Sequence, residues 1–207
     1  MKKTCVHLFV FDTMSDWEYG YLIAGINNPQ FQKTPGRLKV KTVALSELHI
    51  TTMGSLRVLP DLTLDKVKPA TSGMLVLPGG ESRDRKKNKE AALLAADFLA
   101  KAIPVVAICG ATVGLARIGV MDNVPHISNS KQYIAATGYK GAAFYESKPT
   151  VKSGQLIKAS SISALEFARD VFAMLDVYSE ATLTAWYQLY KTGDAKYFAA
   201  LMKSVDA

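Results

Sequence analysis

Runs of consecutive apolar residues alternate along this chain with stretches in which apolar residues recur every three or four positions. That pattern predicts strands buried on both faces, interleaved with amphipathic helices. Residues 5–12 (CVHLFVFD), 38–45 (LKVKTVAL), 73–77 (GMLVL) and 103–108 (IPVVAI) supply strands. A helix is expected from Ser15, opened by a capping box in which Ser15 accepts from the first turn and Glu18 reaches back, and closed by Asn27-Asn28-Pro29. Residues 49–58 read as a short hairpin turning at Met53-Gly54-Ser55, and 60–67 as an irregular return. Asn88 is the expected N-cap of a helix over 89–101 that Pro104 stops, and 110–119 reads as a small-residue helix. Phe144-Tyr145 and Leu156-Ile157 suggest short later strands around a Lys152-Ser153-Gly154 turn. A second capping box, Ser163 with Glu166, opens a helix whose Leu165, Ala168, Val171, Phe172 and Leu175 share a face. From 181 to 203 two short helices, broken at Thr192-Gly193-Asp194, offer Leu183, Trp186, Tyr187 and Tyr190 for packing on the domain or on a partner subunit.

Strands alternating with helices predict an α/β fold with a doubly wound, mostly parallel sheet and helices on both faces. One domain over 1–207 is expected, with 181–207 an appended C-terminal helical segment. In such sheets ligands collect beyond the carboxyl ends of the strands. Three segments fall there: Asp16 to Glu18, Pro78-Gly79-Gly80-Glu81, and Cys109. Cys109 stands at a sharp strand-to-helix joint, and Ala107 and Ala111, two positions away on either side, avoid collision across a strained turn. A thiol at a helix N-terminus is expected to have its pKa lowered; the competing reading is a buried structural cysteine. Gly79 and Gly80 either let backbone amides approach an oxyanion or make a tight turn. His126 is a candidate base or an ordinary satisfied histidine, and Cys5 and His7 are expected to be packing residues.

Charge and cysteine usage narrow the classes. The net charge of +7 and the run Arg83-Asp84-Arg85-Lys86-Lys87-Asn88-Lys89 invite a nucleic-acid partner. No stacking aromatics or recognition-helix signature flank the run, so a solvated loop is expected and nucleic acid is not. The two cysteines lie far apart and only three histidines exist, so neither a disulfide framework nor a metal or cofactor is expected, and the setting is a reducing cytoplasm. Met1-Lys2-Lys3 and the apolar run after it imitate a signal peptide, but the run is short, Asp12 interrupts it, and no small-residue cleavage site follows. No apolar run reaches about 18 residues, so no membrane span is expected.

LPGGE at 77–81, AICGATVGLARIGV at 107–120 and LIKASSISALEFA at 156–168 resemble the DJ-1/PfpI (ThiJ) superfamily in order and spacing, over nearly all of the chain up to Val177. The resemblance implies a flavodoxin-like sheet of the class I glutamine amidotransferase-like type and frequent homodimers. It also implies a nucleophilic or redox-sensitive cysteine, here Cys109, and a carboxylic acid hydrogen-bonded to it, here Glu18. His126 matches the histidine that completes a dyad in many members. Active members are cysteine peptidases or amidases, glyoxalases and deglycases; others are oxidation sensors or chaperones. Gly110 stands where the peptidase-like members carry a histidine directly after the cysteine, which weighs against peptidase activity. Glutamine amidotransferases need a late histidine followed two residues on by glutamate, a spacing that His7, His49 and His126 all lack.

The functional expectation is therefore a cysteine-dependent hydrolase, amidase or related carbonyl-processing enzyme acting on a small-molecule substrate. Cys109 attacks a carbonyl carbon, amides near Gly79, Gly80 and Gly110 hold the oxyanion, and His126 or Glu18 shuttles the proton, Glu18 only when protonated part of the time. The alternative is a non-catalytic redox or stress-response protein in which Cys109 is oxidised. A third reading is a binding domain that kept the elbow without the chemistry.

Overall fold

In the computed structural model, residues 5–84 and 87–204 are described; residues 1–4 with Met1-Lys2-Lys3, Arg85 and Lys86 of the basic run, and 205–207 at the end of the 181–207 segment lie outside the described residues, as do the side chains of Arg83 and Asp84. In chain order the elements are β1 (Cys5–Phe9), α1 (Gly20–Asn27), β2 (Lys39–Ala44), β3 (Ile50–Thr51), β4 (Arg57–Val58), β5 (Leu62–Thr63), β6 (Ser72–Leu77), α2 (Glu81–Asp84), α3 (Lys89–Ala100), β7 (Val105–Ile108), α4 (Gly110–Ala116), α5 (Lys131–Ala135), β8 (Thr150–Ser153), β9 (Leu156–Ala159), α6 (Ala164–Met174), α7 (Glu180–Thr192) and α8 (Ala195–Lys203).

Seven strands form one sheet in the order β5-β2-β1-β6-β7-β9-β8, parallel throughout except for the β8–β9 hairpin. The chain winds outward from β1 to β2 on one side and returns to β6 on the other, which makes the β1/β6 junction the switch point where such sheets open a crevice. Val6, Phe9, Leu75, Val76, Val105 and Val106 are wholly buried, as unbroken apolar runs covered on both faces require. Helix α1 packs with α6, α6 with α7, and α3 with α4. The β3–β4 hairpin expected near residue 53 forms, apart from the main sheet.

Several local expectations give way to longer-range partners. Neither capping box forms: Ser15 and Ser163 make no side-chain cap, and residues 16–18 are a 3-10 turn ahead of α1. Because that turn points Glu18 inward, its Oε2 accepts from the Gly79 N–H at 2.6 Å instead of reaching back along the helix. Glu166 accepts from the Tyr187 hydroxyl at 3.0 Å and from Lys191 at 2.7 Å, tying α6 to α7. Asn88 adopts a left-handed conformation, φ 63°, and makes no side-chain cap on α3. Phe144-Tyr145 is not a strand; residues 142–144 form a 3-10 turn, and the antiparallel partner of β9 is β8. The tail does form two helices, parted at Gly193 with φ 70°. Trp186 is buried there against the rings of Tyr21, Phe172 and Tyr178, while Tyr190 stays 53% exposed. No helix among the described residues is long and apolar enough to cross a membrane, and no group of His, Cys, Asp and Glu among them could hold a metal.

Candidate active site

Strand β7 ends at Ile108 and α4 begins at Gly110, which leaves one residue to turn the chain. That residue, Cys109, takes φ 58° and ψ −128°, a conformation that stores about 1–3 kcal/mol in a side chain with a Cβ. Three hydrogen bonds hold it there. The Cys109 N–H donates to Ala159 O at 3.0 Å, and Cys109 O accepts from the Thr112 N–H at 3.0 Å and from Thr112 Oγ1 at 2.6 Å. Ala107 and Ala111 are wholly buried beneath the turn. Gly79, at the end of the neighbouring strand, comes so close that a Cβ there would lie 2.6 Å from Cys109 Cβ and 2.7 Å from Gly110 N.

Glu18, 1% exposed, is hydrogen-bonded with the Cys109 thiol as well as with the Gly79 N–H. Two donors face the same sulfur: the Gly110 N–H, and the Asn129 amide, whose Nδ2 lies 3.2 Å away. Asn129 Oδ1 accepts from the Ser161 N–H at 2.9 Å. Sequence reasoning did not single out Asn129. Its signal was only its place in the HISNS segment that carries His126.

The helix N-terminus does pull the thiol pKa down, through the Gly110 N–H, but it is outweighed. Burial, followed by the negative charge of Glu18, pushes Cys109 up to about 12, against the opposing hydrogen bonds from Asn129 and Gly110. The first turn of α4 contributes about 2 kcal/mol at most, less than burial and a carboxylate in contact together. The resting thiol is therefore protonated, with an acceptor already in place for its proton.

His126 is not brought to Cys109. It is wholly buried, with Nδ1 2.8 Å from Val124 O and Nε2 3.0 Å from the Tyr139 hydroxyl. A carbonyl only accepts, so Nδ1 carries the hydrogen and Nε2 accepts from Tyr139. Burial lowers the histidine's pKa and keeps it neutral. Its backbone pairs with Phe144 O and the Glu146 N–H, so it fastens the 124–146 segment rather than serving the sulfur. Of the glycines, Gly79 spends its N–H on Glu18, Gly80 lines the cavity, and the Gly110 N–H faces the sulfur. Cys5 lies 3.3 Å from His7, but burial raises the thiol's pKa and lowers the imidazole's, so the two remain a neutral packing pair.

The sulfur opens on a cavity of about 510 Å³ lined by Trp17, Met53, Gly80, Asn129, Tyr133 and Ile162, among others. Trp17 is 60% exposed and Ile162 93%, so the mouth carries apolar groups while the floor is polar.

An elbow cysteine in contact with a buried glutamate beside the switch point of a parallel sheet places the protein among α/β proteins that hold one residue on a strained strand-to-helix turn. Within that class the chain belongs to the DJ-1/PfpI family, whose model matches residues 4–174. It is 40% identical over 209 residues to YoaZ of Bacillus subtilis (strain 168), named an uncharacterized protease, with 100% of both chains covered. The crystal structure of a thiJ/pfpI family protein from Bacillus anthracis matches with a TM-score of 0.92 at 42% identity, over 99% of this chain and 98% of that one. The DJ-1 superfamily protein Atu0886 from Agrobacterium tumefaciens shares the fold, with a TM-score of 0.82 at 24% identity over 92% of this chain and 98% of its own.

Proposed function

We propose that this protein is a cysteine-dependent enzyme that adds the Cys109 sulfur to the carbonyl carbon of a small substrate, in the manner of a carbonyl-processing enzyme or small amidase. The observation that carries this reading is the buried Glu18 carboxylate in hydrogen-bond contact with a part-exposed thiol at the cavity floor. As the substrate approaches, the S–H bond breaks and its proton passes to Glu18. The freed sulfur pair forms the S–C bond, and the carbonyl π pair moves to oxygen. That oxygen then takes the proton back from Glu18, giving a hemithioacetal from an aldehyde and restoring the carboxylate. As the S–C bond forms, the Gly110 N–H that faces the sulfur donates to the developing oxyanion beside it.

Two features favour small carbonyl compounds over peptides. The imidazole that a peptidase would use to protonate a leaving amine is held by Val124 and Tyr139, and the cavity of about 510 Å³ suits a small molecule. The alternative, a non-catalytic redox or stress-response protein oxidised at Cys109, uses the same sulfur and the same neighbouring carboxylate, and differs in that no substrate turns over. Turnover of glyoxal, methylglyoxal and simple amides by wild type and Cys109→Ala tests the proposal; equal rates in the two proteins would remove the cysteine mechanism.

The expected homodimer is retained as part of this proposal. Leu45, Leu48, Leu56 and Leu59, in and around the β3–β4 hairpin, are 48%, 73%, 60% and 72% exposed, more apolar surface than one short segment ordinarily leaves to water. Sedimentation of wild type and Leu48→Glu checks it: a monomer in both would end it.

A further inference from the structure

We propose that Asn129 is a further catalytic residue of this site: its side-chain amide, held in one orientation by the Ser161 N–H, donates to the Cys109 sulfur and stabilises the thiolate formed when the proton passes to Glu18. The proposal rests on the reading of Cys109 as the nucleophile and extends it to a residue from another loop.

The orientation of the amide is not arbitrary. A backbone N–H can only donate, so the atom of Asn129 facing Ser161, at 2.9 Å, is the oxygen, and the atom facing the sulfur, at 3.2 Å, is the NH2 nitrogen. The chain on either side is pinned. Ser128 Oγ lies 2.6 Å from Thr112 Oγ1, the same hydroxyl that donates to Cys109 O, and Ser130 Oγ accepts from the Tyr133 N–H at 3.0 Å to cap α5. Ser128 O also accepts from the Tyr145 hydroxyl at 3.3 Å. One threonine thus fixes both the turn that carries the sulfur and the loop that carries the amide. Bridging to Ser161 needs only Oδ1; the NH2 directed at the sulfur is additional to any bracing role.

In the proton transfer the S–H bond breaks, hydrogen joins a Glu18 oxygen, and the electron pair stays on sulfur between two donors, the Asn129 amide and the Gly110 N–H. A hydrogen bond to a charged acceptor is stronger than one to the neutral thiol, so the amide favours the thiolate over the resting state. When the S–C bond forms, the charge moves to the carbonyl oxygen and the amide is released from the sulfur.

The test is the rate of Cys109 alkylation by iodoacetamide in the full-length protein, followed against pH, with Asn129→Ala and Asn129→Asp beside wild type. Loss of the donor is expected to reduce the rate at about pH 8 by about tenfold or more in Asn129→Ala, because the thiolate fraction falls about tenfold per unit rise in pKa. Asn129→Asp keeps an oxygen for the Ser161 N–H but turns a carboxylate on the sulfur, and is expected to alkylate more slowly still. A purely bracing asparagine predicts the opposite sign, since truncation to alanine widens access to the thiol. Alkylation of the folded alanine variant at or above the wild-type rate overturns the proposal; should that variant not fold, a wild-type rate in Asn129→Asp does so. Alkylation needs no substrate, so loss of the Cys109 turnover mechanism would leave this outcome readable on its own.

Discussion

Replacing Glu18 by glutamine should separate the reactivity of the sulfur from its use. The carboxylate is the second cause, after burial, of a thiol pKa near 12, and it is in hydrogen-bond contact with the thiol. Two unit charges about 4 Å apart, at an effective dielectric of about 20, interact by about 4 kcal/mol, or about three pK units. The sulfur borders an open cavity, and water at its mouth reduces this to about one to two units. In Glu18→Gln the amide oxygen can still accept the 2.6 Å bond from Gly79, so the frame is kept while an NH2 group turns toward the sulfur. Iodoacetamide alkylation of Cys109 at about pH 8 is therefore expected to rise by about 10- to 100-fold. Turnover of dicarbonyls should move the other way, falling by about 100-fold or more, because no group remains to take the thiol proton and return it to the alkoxide. Stopped-flow alkylation and steady-state turnover on the same preparation give both numbers. An alkylation rate that stays level or falls along with turnover would refute the assignment of Glu18 as the charge that holds the thiol protonated.

Lys158 is wholly buried on β9, hydrogen-bonded to Ser153 Oγ and to Leu156 O at 3.3 Å, and burial lowers its pKa to about 7. Because the unfolded chain binds this proton up to about pH 10.5 and the folded one does not, stability should rise between about pH 7 and pH 10, by at most about 4 kcal/mol. Urea melts of Lys158→Met should lack that rise, and an unchanged pH slope would contradict the burial argument. Gly79→Ala forces a Cβ within 2.6 Å of Cys109 Cβ and 2.7 Å of backbone at Gly110, so about 2 kcal/mol or more of stability should be lost in denaturant melts, along with turnover. His126→Gln should lower the melting temperature, because the ring ties Val124 to Tyr139, yet leave the pH dependence of Cys109 alkylation in place; a displaced inflection would return His126 to the chemistry.

What could be read from the chain, and what could not, follows from the range of the interactions involved. Strands β1, β6 and β7 were legible because burial on both faces leaves almost no choice but consecutive apolar residues. The rim followed from strand order alone, since whatever succeeds a parallel strand in a doubly wound sheet emerges at the same edge. Strand order puts 16–18 on that rim and the family resemblance gives Glu18 its role there, while the capping-box reading fails: Ser-x-x-Glu is the same string whether the carboxylate caps a helix or turns inward to a glycine 61 positions on. The thiol pKa failed for the same reason. The dipole of α4 is written beside Cys109, whereas the burial and the carboxylate that outweigh it come from other parts of the chain. Asn129 and His126 share one short segment, and nothing local says which of them meets the sulfur; that is decided by Tyr139, Val124 and Ser161, which hold the segment from both sides.

The backbone at Cys109 bears on whether this sulfur is functional or merely buried. A packing cysteine can sit anywhere on a strand at no conformational cost, as Cys5 does in β1. Cys109 instead occupies a left-handed φ of 58°, where a glycine would rest unstrained, and the chain meets that cost at several places at once. Ala107 and Ala111 leave the turn uncrowded, Gly79 gives up a Cβ that would strike it, and Thr112 spends both its N–H and its hydroxyl on the Cys109 carbonyl. Each accommodation has a local explanation, but all of them converge on keeping a thiol at a position where glycine would fold more easily. Cys109→Gly should therefore fold at least as stably as wild type in denaturant melts, while losing every cysteine-dependent rate. A clear loss of stability in that variant would mean that the side chain is retained for packing, and would remove the strongest structural reason to regard the elbow as a site.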